Sequence, residues 1–338
     1  MTTDPAARAG SAPAAPELPD DRAAPERERA GPRIRVIWNP AAGSKGGLPL
    51  RQMDEAGIRE LMRTAHLGNE LVQTASPSDV RSEAGDAASR GYDLVVAAGG
   101  DGTVGTVAAE LLGSGTALGI LPLGSVMNIA RSLAIPRDPA QAAEVIRAGS
   151  AVRVDVGEAR GRPFFEGGSV GMNAAMFREA QRFEGGHWSS ILRTIWVAIR
   201  YRPARMAIDL EDRRIRTRAL MITVSNGPYA GLGMTVAPDA RLDDGRFDVR
   251  VFRRFSKTRL LRHLASIAFG RYRYAPEVDT YRSRFVRVES ARPLPARADS
   301  RDLGTTPVEF AIRAGALLVV RPDRPGRGSD GRPVRTDR

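Results

Sequence analysis

The stretch Asp93-Leu94-Val95-Val96-Ala97-Ala98-Gly99-Gly100-Asp101-Gly102-Thr103-Val104-Gly105-Thr106 restricts the fold more than any other part of the chain. Leu94 to Ala98 is short, apolar and uninterrupted by charge, the pattern of a strand buried on both faces of a parallel sheet. Gly99, Gly100 and Gly102 let the backbone turn sharply and come close to a ligand with no Cβ in the way. Val104 to Leu112 reads as a helix whose free amino-terminal N–H groups face that corner, an arrangement suited to an anion such as phosphate. Asp101 stands inside it, a carboxylate that a plain phosphate cradle does not require. Two readings stay open: Asp101 holds a metal ion or handles a proton beside phosphate, or it caps the helix of a tight βα turn.

The surrounding pattern repeats the same unit. Ile34 to Trp38 is a short strand leading into Asn39-Pro40 and a glycine-rich loop, 43–47, that carries Lys45 as a second candidate phosphate contact. Residues 51–66 and 79–90 read as helices with a strand at 71–74 between them. Ala117 to Leu121 is strand-like and leads through Gly124 and Ser125 into helices at 126–133 and 141–148. Strands alternating with helices predict a mainly parallel sheet whose carboxyl-end loops share one crevice. From residue 152 onward short strands follow turn formers, at 152–156, 164–165, 206–210, 219–225, 246–252, 285–289 and 308–312. The expectation is an α/β N-terminal domain with a mainly parallel sheet, 32–151. A β-rich, sandwich-like second domain, 152–322, follows; it is interrupted by two helical insertions, and its last segment is free to pack back on the first. The Ala-, Pro- and charge-rich ends, 1–31 and 323–338, bury too little apolar surface to order and are predicted to be disordered tails.

The chain has 338 residues, 42% of them hydrophobic, enough for two cores. Its net charge of +12 comes almost wholly from arginine, since Lys45 and Lys257 are the only lysines. Such a surface favours anionic partners: lipid headgroups, phosphorylated small molecules or nucleic acid, although no nucleic-acid motif accompanies it. Without cysteine there is no disulfide or thiolate chemistry, and His66, His187 and His263 lack ligand spacing. No apolar run reaches the ~20 residues of a membrane span, and the first residues lack the apolar core of an export signal. These features predict a cytoplasmic protein, with room for peripheral contact at an anionic membrane surface.

Several motifs then fit one pattern in order: Asn39-Pro40 and its glycine loop; Gly99-Gly100-Asp101-Gly102-Thr103; Leu121-Pro122-Leu123-Gly124-Ser125 with Asn128 and Ala130-Arg131. Ser225-Asn226-Gly227, Ala237 to Gly245, and Asp299 with Leu303-Gly304-Thr305-Thr306-Pro307 complete it. Over roughly residues 33–322 the chain resembles the diacylglycerol kinase catalytic-domain family, in its bacterial lipid kinase branch, related to sphingosine and ceramide kinases. The resemblance implies an enzyme that moves the γ-phosphoryl of ATP to a lipid hydroxyl, most often that of diacylglycerol, with Mg²⁺. It implies that Asn39, Gly99, Gly100, Asp101, Gly102, Thr103, Gly124 and Ser125 lie along the nucleotide, with Asp101 near the phosphates and metal. Asp299 falls where the family's Asp-Gly-Glu aspartate accepts the hydroxyl proton, and Asp244 where members bind a structural magnesium. A plain Asp-Gly turn accounts for Asp244 as well.

Two places depart from the family. Its Gly-Thr-Gly-Asn-Asp-Phe-Ala-Arg becomes Gly124-Ser125-Val126-Met127-Asn128-Ile129-Ala130-Arg131, losing a polar side chain at Met127 and a charge at Asn128. Its Asp-Gly-Glu becomes Asp299-Ser300-Arg301, with Asp302 a possible substitute for the lost carboxylate. Arg301 could hold a phosphate or weaken Asp299 as a base. The alternatives are a catalytically silent lipid- or nucleotide-binding protein of the same fold and, less favoured, an NAD kinase, which shares the GGDG corner. Two segments carry membrane-surface patterning, Trp188 to Arg205 and residues 250–273, each with aromatic or aliphatic residues at helical spacing among arginines.

Overall fold

The computed structural model describes residues 31–42, 53–181, 196–197, 199–231, 233–253 and 278–323. The expectations for the tails, for the Lys45 loop and for most of the two membrane-surface segments fall outside these residues.

The first half is built as its alternation predicts. Strand β1 (Ile34–Trp38) pairs in parallel with β2 (Glu70–Gln73) on one side and β3 (Leu94–Gly99) on the other. Strand β4 (Ala117–Pro122) lies in parallel beside β3, and every residue of both is buried, as befits central parallel strands. The helices start at their capping signals. Asp54 accepts from the Gly57 N–H to open α1 (Glu55–Thr64), and a Ser76/Asp79 capping box opens α2 (Pro77–Ser89). Then come α3 (Asp101–Glu110), the single turn α4 (Asn128–Ser132) and α5 (Pro139–Ala148), the last capped by Asp138. The order β2-β1-β3-β4 means that the chain leaves β1 in one direction and β3 in the other. That reversal opens a crevice at the carboxyl ends of β1 and β3, where Asn39 and the glycine corner lie.

The second half runs through β5 (Ser150–Ala159), β6 (Arg162–Phe164), β7 (Gly167–Gly171), α6 (Met172–Gln181), β8 (Ala204–Leu210), β9 (Arg214–Ala219), β10 (Met221–Ser225), β11 (Tyr229–Ala230) and β12 (Met234–Thr235). It continues with β13 (Phe247–Phe252), β14 (Val278–Ser283), β15 (Phe285–Ser290), β16 (Pro295–Ala298), β17 (Arg301–Thr305) and β18 (Val308–Arg321). One antiparallel sheet has the order β14-β13-β10-β7-β16-β17; its inner face packs on β8, β15 and the first part of β18. Phe164 fills the centre, stacked on Phe247 at 5.6 Å and edge-on to Phe310 at 6.0 Å. Two strand glycines make room for those rings: a Cβ on Gly157 would lie 2.2 Å from Phe164, and one on Gly168 2.3 Å from Phe310.

The long strand β18 belongs to both halves. Val308 to Ala311 pairs with β15, Val319 stands beside Leu118 of β4, and a break between Arg313 and Leu317, with Gly315 at φ 58°, bends the strand from one role to the other. One ten-stranded sheet therefore runs β2-β1-β3-β4-β18-β15-β8-β9, with β5 paired to β18 and β6 to β5 beside that path. Two expectations differ in detail. The run 219–225 is two strands, because the chain passes from one sheet to the other at Leu220; and β18 continues nine residues past the predicted end at 312.

Candidate active site

The glycine corner is held by its neighbours. Gly100 caps α3 with extended backbone and no side chain, so Asp101 is not the cap but the helix's first residue. The Asn39 side chain donates to Thr103 Oγ1 at 3.2 Å, tying the β1 loop to the corner, and its own carbonyl oxygen receives the Ala41 N–H at 3.0 Å. Gly99 leaves space for Thr103, whose side chain a Cβ would meet at 2.6 Å. Gly124 and Gly100 come so close that a Cβ on Gly124 would lie 2.7 Å from the Gly100 Cα. The β3–α3 and β4–α4 loops are thus in backbone contact, while Gly102 and Ser125 remain exposed on the surface that they form. Asp101 reaches across: its Oδ1 accepts the Ile129 N–H at the start of α4, at 3.1 Å, and among the described residues its Oδ2 has no partner.

Asp299 comes from the other half. Ala298 and Arg301 are paired across β16 and β17, so Asp299 and Ser300 form a two-residue hairpin turn, with Asp299 at φ 47°, a conformation that Asp tolerates. Its carboxylate is cradled by three backbone N–H groups: Phe165 on Oδ2 at 2.8 Å, and Glu166 and Gly167 on Oδ1 at 2.9 and 3.1 Å. Burial pushes Asp299 above the usual carboxylate range, outweighing those three bonds and the nearby Arg301. A raised value brings a general base closer to neutral pH, the opposite of the weakening that Arg301 alone would cause.

Between Asp101 and Asp299 stands Glu166, which no motif in the sequence marks. Its Oε2 accepts from Asn128 Nδ2 at 3.0 Å and from the Gly231 N–H at 3.0 Å. Burial, with Asp299 and then Asp101 as like charges, pushes its carboxyl up to about 8. Asn128, half of the departure from the family pattern, is therefore bonded to a carboxylate rather than being one. Contacts run without a gap from Asp101 through Ile129 and Asn128 to Glu166, and through the Glu166 N–H to Asp299. The Ser225-Asn226-Gly227 motif serves the same loop. The Asn226 side chain donates to the carbonyls of Asp155 and Phe165 at 3.0 and 3.1 Å, and the N–H groups of Asn226 and Gly227 donate to the Glu166 carbonyl.

The remaining sequence candidates lie elsewhere or face away. Met127 is a buried residue in the left-handed region (φ 55°, ψ 48°), its side chain in the core against Gly124 and not on the crevice surface. Arg301 donates to the Pro163 carbonyl, and Asp302 is paired with Arg178 of α6 at 2.6 Å. Asp244 accepts the Arg246 N–H at 3.0 Å and pairs with the Arg282 guanidinium, so the chain supplies its own cation there and the arrangement does not fit a metal site. Among the described residues no three His, Cys, Asp or Glu side chains gather to hold a metal. Asp101 offers one hard oxygen, which suits Mg²⁺ of the kind carried mainly by substrate phosphates.

The family model for the diacylglycerol kinase catalytic domain matches residues 33–159, and that for the YegS C-terminal NAD kinase beta sandwich-like domain matches 169–321. A diacylglycerol kinase of Bacillus subtilis is 25% identical over 296 residues, covering 86% of this chain and 96% of that protein. A protein of Chromohalobacter salexigens named "Probable lipid kinase YegS-like" is 30% identical over 277 residues, covering 80% of this chain and 86% of its own. Among solved structures, a diacylglycerol kinase from Bacillus anthracis shares the fold at a TM-score of 0.64 and 19% identity, covering 86% of this chain and 96% of that one. With motifs, fold and relatives in agreement, the chain belongs to the family of diacylglycerol kinase and YegS-like lipid kinases, phosphotransferases built on this two-part architecture.

Proposed function

We propose that this lipid kinase transfers the γ-phosphoryl group of ATP to a lipid hydroxyl, with diacylglycerol the default acceptor. The observation that carries the reading is the unbroken run of contacts from the phosphate corner at Asp101 to the cradled Asp299 by way of Glu166. Phosphoryl transfer needs positioning and charge stabilisation more than covalent chemistry, and this crevice offers both. In this reading residues 32–151 hold the nucleotide, with Asn39, Gly99 to Thr103, Gly124 and Ser125 along its phosphates. Residues 152–322 supply Asp299, which takes the acceptor's proton. Mg²⁺, when bound, would neutralise phosphate charge, and Asp101 is the side chain that would hold it.

The lipid reading also has a surface to go with it. Trp196 and Ile199 are the large hydrophobics that stand exposed among the described residues, at 56% and 39%, and Arg200 lies over the Trp196 ring at 4.7 Å. Aromatic and arginine side chains together suit the interface of an anionic membrane. Among the described residues no helix is long and apolar enough to cross one.

The deciding experiment is transfer of labelled phosphate from ATP to diacylglycerol in mixed micelles, with and without Mg²⁺, beside a panel of other lipid alcohols and NAD. Transfer to a lipid supports the proposal, and transfer to NAD alone replaces it with the NAD kinase reading. Retained ATP binding with no transfer to any acceptor identifies a silent member of the fold.

A further inference from the structure

Strand β16 alternates strictly. Ala296 and Ala298 are buried in the sandwich core, so Arg297 between them points to the opposite face, the side on which Asp299 follows two residues later. Helix α6 covers that face, and the Phe177 ring lies against the Arg297 guanidinium at 3.9 Å. Among the described residues this guanidinium makes no hydrogen bond and no ion pair. Its charge is nevertheless felt in the crevice, where it interacts with Glu166 and Asp299, while burial lowers its own affinity for a proton.

None of its nitrogens is among the buried unpartnered atoms of the described residues, so its donors are open to solvent and to an arriving anion. Stacking uses only its flat face. The five N–H donors lie in the plane of the group, and their fork matches the oxygens of a phosphoryl group. Among the described residues nothing occupies them, although three carboxyl groups stand in the same crevice. An anion arriving between Asp101 and Asp299 would complete the arrangement.

We propose that Arg297 is a further catalytic residue, whose guanidinium edge holds the phosphoryl group as it passes to the acceptor hydroxyl beside Asp299. This rests on the kinase reading above. In the step the acceptor oxygen bonds to Pγ, and the bond from Pγ to the bridging oxygen breaks with its electron pair going to ADP. The hydroxyl proton goes to Asp299. Arg297 exchanges no proton; its donors meet the charge that spreads over the equatorial oxygens, where such a donor is worth most.

The test compares wild type with Arg297→Met, which keeps the packing on Phe177, with Arg297→Lys, which keeps a charge, and with Arg297→Ala assayed with and without added guanidinium. Measured for each are kcat, KM for ATP and Tm. The expected result is a kcat about 10²-fold lower in Arg297→Met with KM for ATP within about threefold, and partial recovery by lysine or by guanidinium. A kcat in Arg297→Met within about threefold of wild type overturns the assignment. So does a loss that neither lysine nor guanidinium restores, because it would belong to packing against Phe177. Should Arg297→Met fail to fold, Arg297→Lys decides alone, with a fall of about tenfold expected and no change overturning the proposal. A wild type that transfers phosphate to no acceptor refutes the kinase reading and this inference with it; an active wild type with unaffected variants refutes only Arg297.

Discussion

Replacing Gly124 by alanine tests whether the two glycine loops must touch. The new Cβ would stand 2.7 Å from the Gly100 Cα and 2.8 Å from the Met127 sulfur, whereas ordinary contact begins at 3.4 Å, so the loops must part by about 0.7 Å. One neighbour is backbone and the other a buried side chain, so neither yields cheaply. Overpacking of this kind costs about 2 kcal/mol, and for a chain of this size that lowers Tm by roughly 3 °C. The same displacement moves Asp101 relative to Ser125, and misplacement by about 1 Å costs on the order of 10²-fold in rate. Gly102→Ala is the control. Gly102 is exposed, an added Cβ would meet no atom within 4 Å, and its φ is not positive. Alanine there gains up to about 1 kcal/mol in helix propensity, so Tm should hold or rise while KM for ATP increases if phosphate approaches the corner. Thermal melts and ATP titrations of the two variants decide. Equal destabilisation by both, or an unchanged Tm in Gly124→Ala, would refute the contact argument.

Other consequences are as direct. Glu166, raised to about 8 against an ordinary 4.5, keeps its proton in the folded chain over a range where the unfolded chain has released it. Its contribution to stability is therefore complete below about 4.5 and is lost as pH rises through about 8. Melts of Glu166→Gln across that range should show a flatter decline than wild type, and an unchanged slope would argue against a raised value. Asn226→Ala leaves the carbonyls of Asp155 and Phe165 unpaired in a buried place, a loss of about 1–3 kcal/mol in denaturant unfolding. It should also slow transfer by loosening the loop that cradles Asp299. Asp299→Asn should abolish transfer and lower Tm as well, because an amide presents one acceptor oxygen where the carboxylate receives three N–H groups on two; an active Asp299→Asn would remove Asp299 from the chemistry.

The first half of the chain was legible because its signals are local. Capping residues, uninterrupted apolar runs and glycine corners each state their own structure, and Asn39, Thr103 and Asp101 meet through short loops of one sheet. The second half hides its strands. Strand β7 opens on Gly167 and Gly168, poor strand formers whose reasons are the close backbone of Val224 and a phenylalanine, Phe310, arriving from elsewhere, and β9 is arginine-rich because it lies at the edge of its sheet. Glu166 was illegible for a different reason. Nothing in Phe164-Phe165-Glu166-Gly167 marks an acid as special until Asn128, 38 residues earlier, and Asp299, 133 residues later, are brought to it. Met127 misled in the other direction: its place in a nucleotide-facing motif concealed that its side chain is core.

Strand β18 has a consequence for how the molecule comes into being. The free side of β4 is closed by the last part of β18, where Val319 pairs with Leu118 from some two hundred positions later in the chain. Until that last strand arrives, a growing chain presents an open, wholly apolar strand edge, the kind of surface that invites pairing with a neighbour. Contacts so distant in sequence also slow folding. The first half should therefore aggregate when expressed alone as residues 32–151, and recover when the β18 segment is fused behind β4 through a linker. The strand that completes the first sheet is thus supplied from the second half, so that the crevice cannot be finished by the first half alone.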